Sequence, residues 1–117
     1  MILAVLDDLL FTSKIKTTAN QLGIAVAFAR SAENALAEMR KAAPTLVILD
    51  LNNPRTNPLQ IVAAMKETPA LASVPTVGFA SHVQVDVINA ARAAGVGDVL
   101  ARSAFTQNLA AILTAAR

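Results

Sequence analysis

Short apolar runs alternate with amphipathic stretches along the whole chain, and one of those runs constrains the rest. Thr45 to Leu49 (TLVIL) is continuous, rich in β-branched residues, and bounded by Pro44 and Asp50. An uninterrupted run of this kind is expected where a strand is buried on both faces, as in the centre of a parallel sheet. Such a strand needs helices above and below it, and the flanking sequence supplies them.

Ile2 to Leu6 reads as a first strand ending at Asp7 and Asp8. Phe11, Ile15, Thr18 or Ala19, and Leu22 then recur at helical spacing, with Gly23 placed to end the helix. Ile24 to Ala29 alternates large with small side chains, which suits an edge strand with unequally buried faces. Ser31 is placed to cap a second helix, with Ala32, Leu36 and Met39 inward and Pro44 past its end. Asn57 and Pro58 read as the N-cap and first residue of a third helix that carries Ile61, Val62 and Met65. Val74 to Phe79 forms the fourth strand of this reading, and Val87, Ile88, Ala91 and Ala94 line a helix that Gly95 closes. Val99 to Ala101 is a short fifth strand, and Leu109, Ile112, Leu113 and Ala116 line a last helix. Five such units, in a single domain over 1–117, predict a doubly wound α/β fold with a five-stranded parallel sheet, five helices and right-handed crossovers.

Composition removes several classes of function. The chain has no cysteine and one histidine, so thiolate zinc sites, iron–sulfur clusters and histidine-rich metal sites are excluded. Aromatic residues make up 3%, with no Trp or Tyr, and the net charge of +2 is scattered, so direct nucleic-acid binding is not expected. No apolar run approaches the roughly 18 residues of a membrane helix, and MILAVLDD lacks the basic start of a signal peptide. A cytoplasmic protein without membrane contact is the expectation.

Ligands of doubly wound sheets bind at the carboxyl ends of the strands. Those ends carry Asp7 and Asp8, then Asp50 with Asn52 and Pro54 behind it, then Ala80, Ser81 and His82, then Arg102 and Ser103. If the first and third strands are neighbours, three carboxylates converge, and each disfavours ionisation of the others unless a cation compensates. Oxygen-only donors favour Mg²⁺, which in turn can draw in a phosphoryl group. The plainer readings are that Asp7 and Asp8 cap the first helix, and that Asp50 ends a strand in a turn. His82 reads as a rim histidine without a chemical part, Lys14 and Lys16 as solvated, and Met39 and Met65 as core.

AVLDD at the first strand, LVILDLNNP at the third, VPTVGFAS at the fourth and AAGVGDVLARSAF across the fifth resemble the response-regulator receiver domains of two-component signalling. That resemblance covers essentially the whole chain. It implies the flavodoxin-like strand order 2-1-3-4-5, and a phosphorelay protein that is not itself an enzyme. By the same resemblance Asp50 is the phosphoacceptor, and Asp7, Asp8, Asp50 and the backbone carbonyl of Asn52 hold Mg²⁺. Arg102 stands at the position of the family's phosphate-contacting lysine. The implied partners are a histidine kinase or phosphotransfer protein, and a downstream target or C-terminal output domain, with a homodimer as a further state. Signalling is implied through the face of the fourth helix, fifth strand and fifth helix.

Several positions depart from the family pattern. Ala80 lacks the hydroxyl of the usual Ser or Thr, Val99 replaces an aromatic ring, Ser103 replaces a proline, and Pro58 replaces a glycine. Arginine at 102 keeps the charge but is bulkier than lysine. Two functions therefore compete: phosphorylation on Asp50 with an altered output, and a phosphorylation-independent docking or dimerisation module. A flavin- or nucleotide-binding enzyme fits poorly, because LDDLLF is neither glycine-rich nor hydroxyl-rich.

Overall fold

The computed structural model describes residues 1–81 and 84–116. His82, read from sequence as a rim residue, lies outside the described residues. The strands are β1 (Ile2–Val5), β2 (Val26–Ala29), β3 (Leu46–Asp50), β4 (Thr76–Ala80) and β5 (Asp98–Ala101). They form one parallel sheet in the order β2-β1-β3-β4-β5. The helices are α1 (Leu9–Leu22), α2 (Ala32–Lys41), α3 (Pro58–Glu67), α4 (Val85–Ala94), α5 (Arg102–Gln107) and α6 (Leu109–Ala116). A 3₁₀ turn at Pro54–Thr56 precedes α3.

Strand alternation divides the interior in two. Leu3, Val5, Val47, Leu49, Leu51 and Ala80 meet α2, α3 and α4 through Met39, Ile61, Met65 and Ala91. Ile2, Ala4, Leu6, Leu46, Ile48, Val77 and Phe79 face the opposite side, where Ile15, Ala19, Phe105, Leu109 and Leu113 cover them. The central strands β1 and β3 are buried throughout, whereas edge strand β2 is mostly half-buried.

Local chemistry moves several boundaries from their expected places. Ile24 belongs to the end of α1: its N–H bonds Ala19 O at 2.9 Å, Gly23 N–H bonds Asn20 O at 3.2 Å, and Gly23 has φ 69°. This Schellman turn buries Ile24, so β2 begins only at Val26 and Leu22 stays 37% exposed. Gly95 ends α4 in the same way, with Val96 N–H on Ala91 O at 3.1 Å. Pro75 delays the start of β4 to Thr76, and Ala80 becomes its last residue. Asp50 is the last residue of β3, and Asp98 the first of β5.

Asn57 is the N-cap of α3 and buried Pro58 its first residue, as expected, although the Asn57 side chain, at φ 46°, makes no capping bond. The number of helices needs correction. Six α-helices, not five, occur among the described residues, because the last one divides at Asn108. The side chains of Thr106 and Asn108 bond back to Arg102 O at 3.0 Å and Ala104 O at 2.8 Å. Such bonds compete with the helix ladder and allow the break. Ser31 caps α2 as expected, accepting from Asn34 N–H at 3.1 Å.

Candidate functional site

The sheet register gathers the acidic residues. Val5 pairs with Leu49, so the residues after β1 lie beside the end of β3, and Asp50 pairs with Phe79 on β4. By alternation Asp50 follows Leu46 and Ile48 toward the side covered by α1 and α5. Asp8, the N-cap of α1, and Arg102, the first residue of α5, stand on that side. Ala80 packs into the opposite layer and is fully buried. Val99 also packs against that layer and is half-buried. Ser103 is exposed.

Arg102 is held by apolar and ionic contacts together. Phe11, Phe79 and Phe105 stack with centroids 4.7, 4.8 and 5.8 Å apart, and the Arg102 guanidinium lies 5.4 Å from the Phe11 centroid and 5.5 Å from that of Phe79. A cation over aromatic faces is attracted by their quadrupole, and this stack keeps the guanidinium close to the sheet. Its nitrogens reach Asp50 Oδ1 at 3.8 Å and Asp8 Oδ2 at 4.0 Å. Asp8 also performs the plainer role read from sequence, accepting the Phe11 N–H on Oδ1 at 3.0 Å. The aromatic stack was not foreseen: Phe28 stands as near the end of β2 as Phe79 does to the end of β4, so position along the chain does not single out the three rings that meet.

The loop after β3 contributes groups that sequence reasoning passed over. Asn53 donates from its side chain to Asp7 Oδ1, and Arg55 lies 3.4 Å from Asp7 Oδ2. The Asn53 side-chain oxygen accepts the Arg55 N–H at 3.0 Å, and buried Thr56 donates to Asn53 O at 3.1 Å, so the turn that presents Arg55 is anchored. Asn52 donates its N–H to Asp50 Oδ1 at 3.0 Å. Its side chain accepts the Ser81 N–H at 2.8 Å and donates to Gln84, the residue before α4. The only advance signal was a cation set among small polar residues in LNNPRTNP. Beside Asn52 opens a cleft of about 560 Å³, lined by Leu51, Asn52, Pro58, Leu59, Val87 and Ala90 among others.

Asp50 is the deepest of the three acids, with its side chain 6% exposed against 24% for Asp7 and 39% for Asp8. Burial pushes its carboxyl above the usual carboxylate range; the Asn52 N–H and Arg102 pull it back, and Asp8 and Asp7 push it further up. Among the described residues none donates a hydrogen bond to its Oδ2. The donors in reach, carboxylates and a backbone carbonyl, have the chemistry of a site for a small hard cation. Among the described residues no tight cluster of three or more acidic, histidine or cysteine side chains occurs, so a cation here would rest on fewer carboxylates at once, completed by the Asn52 carbonyl and water. Both oxygens of Asp7 already have partners in Asn53 and Arg55.

Solved structures of other proteins share this fold. A response regulator from Hahella chejuensis is similar over 97% of this chain and 91% of its own, with a TM-score of 0.86 and 24% identity. The phosphorylated cyanobacterial phytochrome response regulator RcpA matches over 97% of this chain and 88% of its own, with TM-score 0.79 and 25% identity. The Mn²⁺-bound form of response regulator Rcp1 matches over 95% of this chain and 89% of its own, with TM-score 0.77 and 21% identity. No curated protein matches the sequence. No helix among the described residues is long and apolar enough to cross a membrane. The response regulator receiver domain model matches residues 2–114, and the chain belongs to that family.

Proposed function

We propose that this receiver domain accepts a phosphoryl group on Asp50 from a phosphohistidine of a kinase or phosphotransfer protein. The observation that carries this reading is the placement of Asp50: at the end of β3, with Oδ1 held by the Asn52 N–H and Arg102 nearby, and no donor to Oδ2 among the described residues. Burial makes the carboxylate more basic and less solvated, which favours attack. Oδ2 attacks phosphorus, the phosphorus–nitrogen bond of the donor breaks, and the imidazole leaves with the electron pair and takes up a proton. The product is an acyl phosphate on Asp50.

Asp7, Asp8, Asp50 and the Asn52 carbonyl are the residues that would hold Mg²⁺. A bound divalent cation supplies charge neutralisation of the transferred phosphoryl oxygens. Arg102, beside Asp8 and Asp50, provides a second positive charge, and its guanidinium can fork onto phosphate oxygens. The Mn²⁺-bound Rcp1 and phosphorylated RcpA, which share this fold, support both halves of the reading. Output to a downstream target or attached domain through α4, β5 and α5 proceeds without a hydroxyl at Ala80 or a ring at Val99.

A second reading, a phosphorylation-independent docking module, is favoured by one observation. The cleft lined by Leu51, Pro58, Leu59, Val87 and Ala90 is apolar and open, with Leu59 38% exposed. Intact-mass measurement after incubation with a small phosphodonor and Mg²⁺ separates the two. One added phosphoryl group, absent in Asp50→Asn, supports the acceptor. No gain with any donor leaves the docking module.

A further inference from the structure

We infer that Arg55 is a built-in competitor for the divalent cation, occupying Asp7 when the cation is absent and swinging away when it binds. This rests on the reading that Asp7, Asp8 and Asp50 hold such a cation. Three carboxylates face two guanidiniums here: Arg102 spans Asp8 and Asp50, and Arg55 takes Asp7. The pocket is thus left with about one negative charge, less than a divalent cation needs for neutralisation.

The two arginines are not equivalent. Arg102 is 40% exposed and lies over Phe11 and Phe79, so moving it would break two ionic and two aromatic contacts. Arg55 is 83% exposed and, among the described residues, has one ionic partner, at 3.4 Å. Its backbone is pinned by Asn53 while its side chain extends into solvent, so the guanidinium can leave Asp7 without disturbing the turn. Asn53 itself bonds the other Asp7 oxygen and must yield it to a metal. Divalent affinity is accordingly set by a contest at Asp7 rather than by the number of carboxylates.

The test is calorimetric titration of MgCl₂ and of MnCl₂ into the wild-type chain, Arg55→Ala, Arg55→Lys, and Arg55→Ala combined with Asp7→Asn. Exposed ion pairs are weak, so Arg55→Ala is expected to tighten cation binding by about three- to five-fold at low salt, with the difference shrinking as salt rises. Arg55→Lys retains the competing charge and stays near wild type, and Asp7→Asn abolishes the gain. Binding by Arg55→Ala but not by the wild type would be the strongest support. Equal or weaker affinity in Arg55→Ala overturns the role of Arg55 while leaving the cation site standing. No binding to any variant overturns the cation site and this inference with it.

Discussion

Removing the charge from Arg102 separates two accounts of why it lies over the phenylalanines. If it is the counter-ion of Asp50, Arg102→Gln strands a nearly buried carboxylate beside Asp7 and Asp8. Coulomb's law at 3.8 Å gives about 1 kcal/mol in water and about 4 kcal/mol at an effective dielectric of roughly 20. Arg102 is 40% exposed, so solvent screening places the pair near the lower end, at about 1–2 kcal/mol. Loss of the cation over Phe11 and Phe79 adds about 0.5–1 kcal/mol. Arg102→Gln should therefore cost about 2 kcal/mol, which for a domain of this size lowers Tm by about 8 °C. Asp50→Asn keeps an oxygen for the Asn52 N–H but removes the charge. It should stabilise the wild type modestly and Arg102→Gln by about 1–2 kcal/mol more. Far-UV circular dichroism is the assay, since the chain has no Trp or Tyr for fluorescence. Urea and thermal unfolding of the four proteins at neutral pH and low salt completes the cycle. Additivity within about 0.5 kcal/mol would refute the pairing, and the arginine would then be stacked for packing alone.

Three further outcomes follow from the same contacts. Because the folded-state pKa of Asp50 is raised, the folded protein holds that proton after the unfolded chain has released it. Its contribution to stability is full below the unfolded value near 3.8 and is lost as pH rises through the folded value. The difference in stability between wild type and Asp50→Asn should widen over that window in pH-dependent melts. Asp8→Ala removes the α1 cap and should cost about 1 kcal/mol, while Asp8→Asn keeps most of it, as read by urea midpoints. A Cβ at Gly78 would lie 2.7 Å from Leu51 Cδ1, so Gly78→Ala should lose about 1–3 kcal/mol, and Leu51→Ala in the same chain should recover part of it.

The fold was legible because its signals are strong and local. TLVIL announced a doubly buried strand, the large–small alternation of Ile24 to Ala29 an edge strand, and Gly23 and Gly95 the helix ends. The boundaries that moved did so through bonds that hydrophobic period does not encode: Ile24 was claimed by the Schellman turn, and the last helix was broken by Thr106 and Asn108. At the site, Asp7, Asp8, Asp50 and Arg102 could be placed because Asp50 ends a strand and the others follow one. Arg55, Asn53 and the Asn52 side chain could not, since a loop without periodicity gives no direction to its side chains. Nor did three distant phenylalanines predict a stack; only the sheet register brings Phe79 beside Asp50 and under Arg102.

That register makes Asp50 the chemical centre of the account, and its modification can be located directly. The chain is treated with a small phosphodonor and Mg²⁺, reduced with borohydride, which converts an acyl phosphate on aspartate to homoserine, and digested for peptide mass mapping. Homoserine at position 50, and nowhere else, is the result expected. Homoserine at position 7 or 8, or none while the donor is consumed, would contradict the assignment of Asp50 as the acceptor.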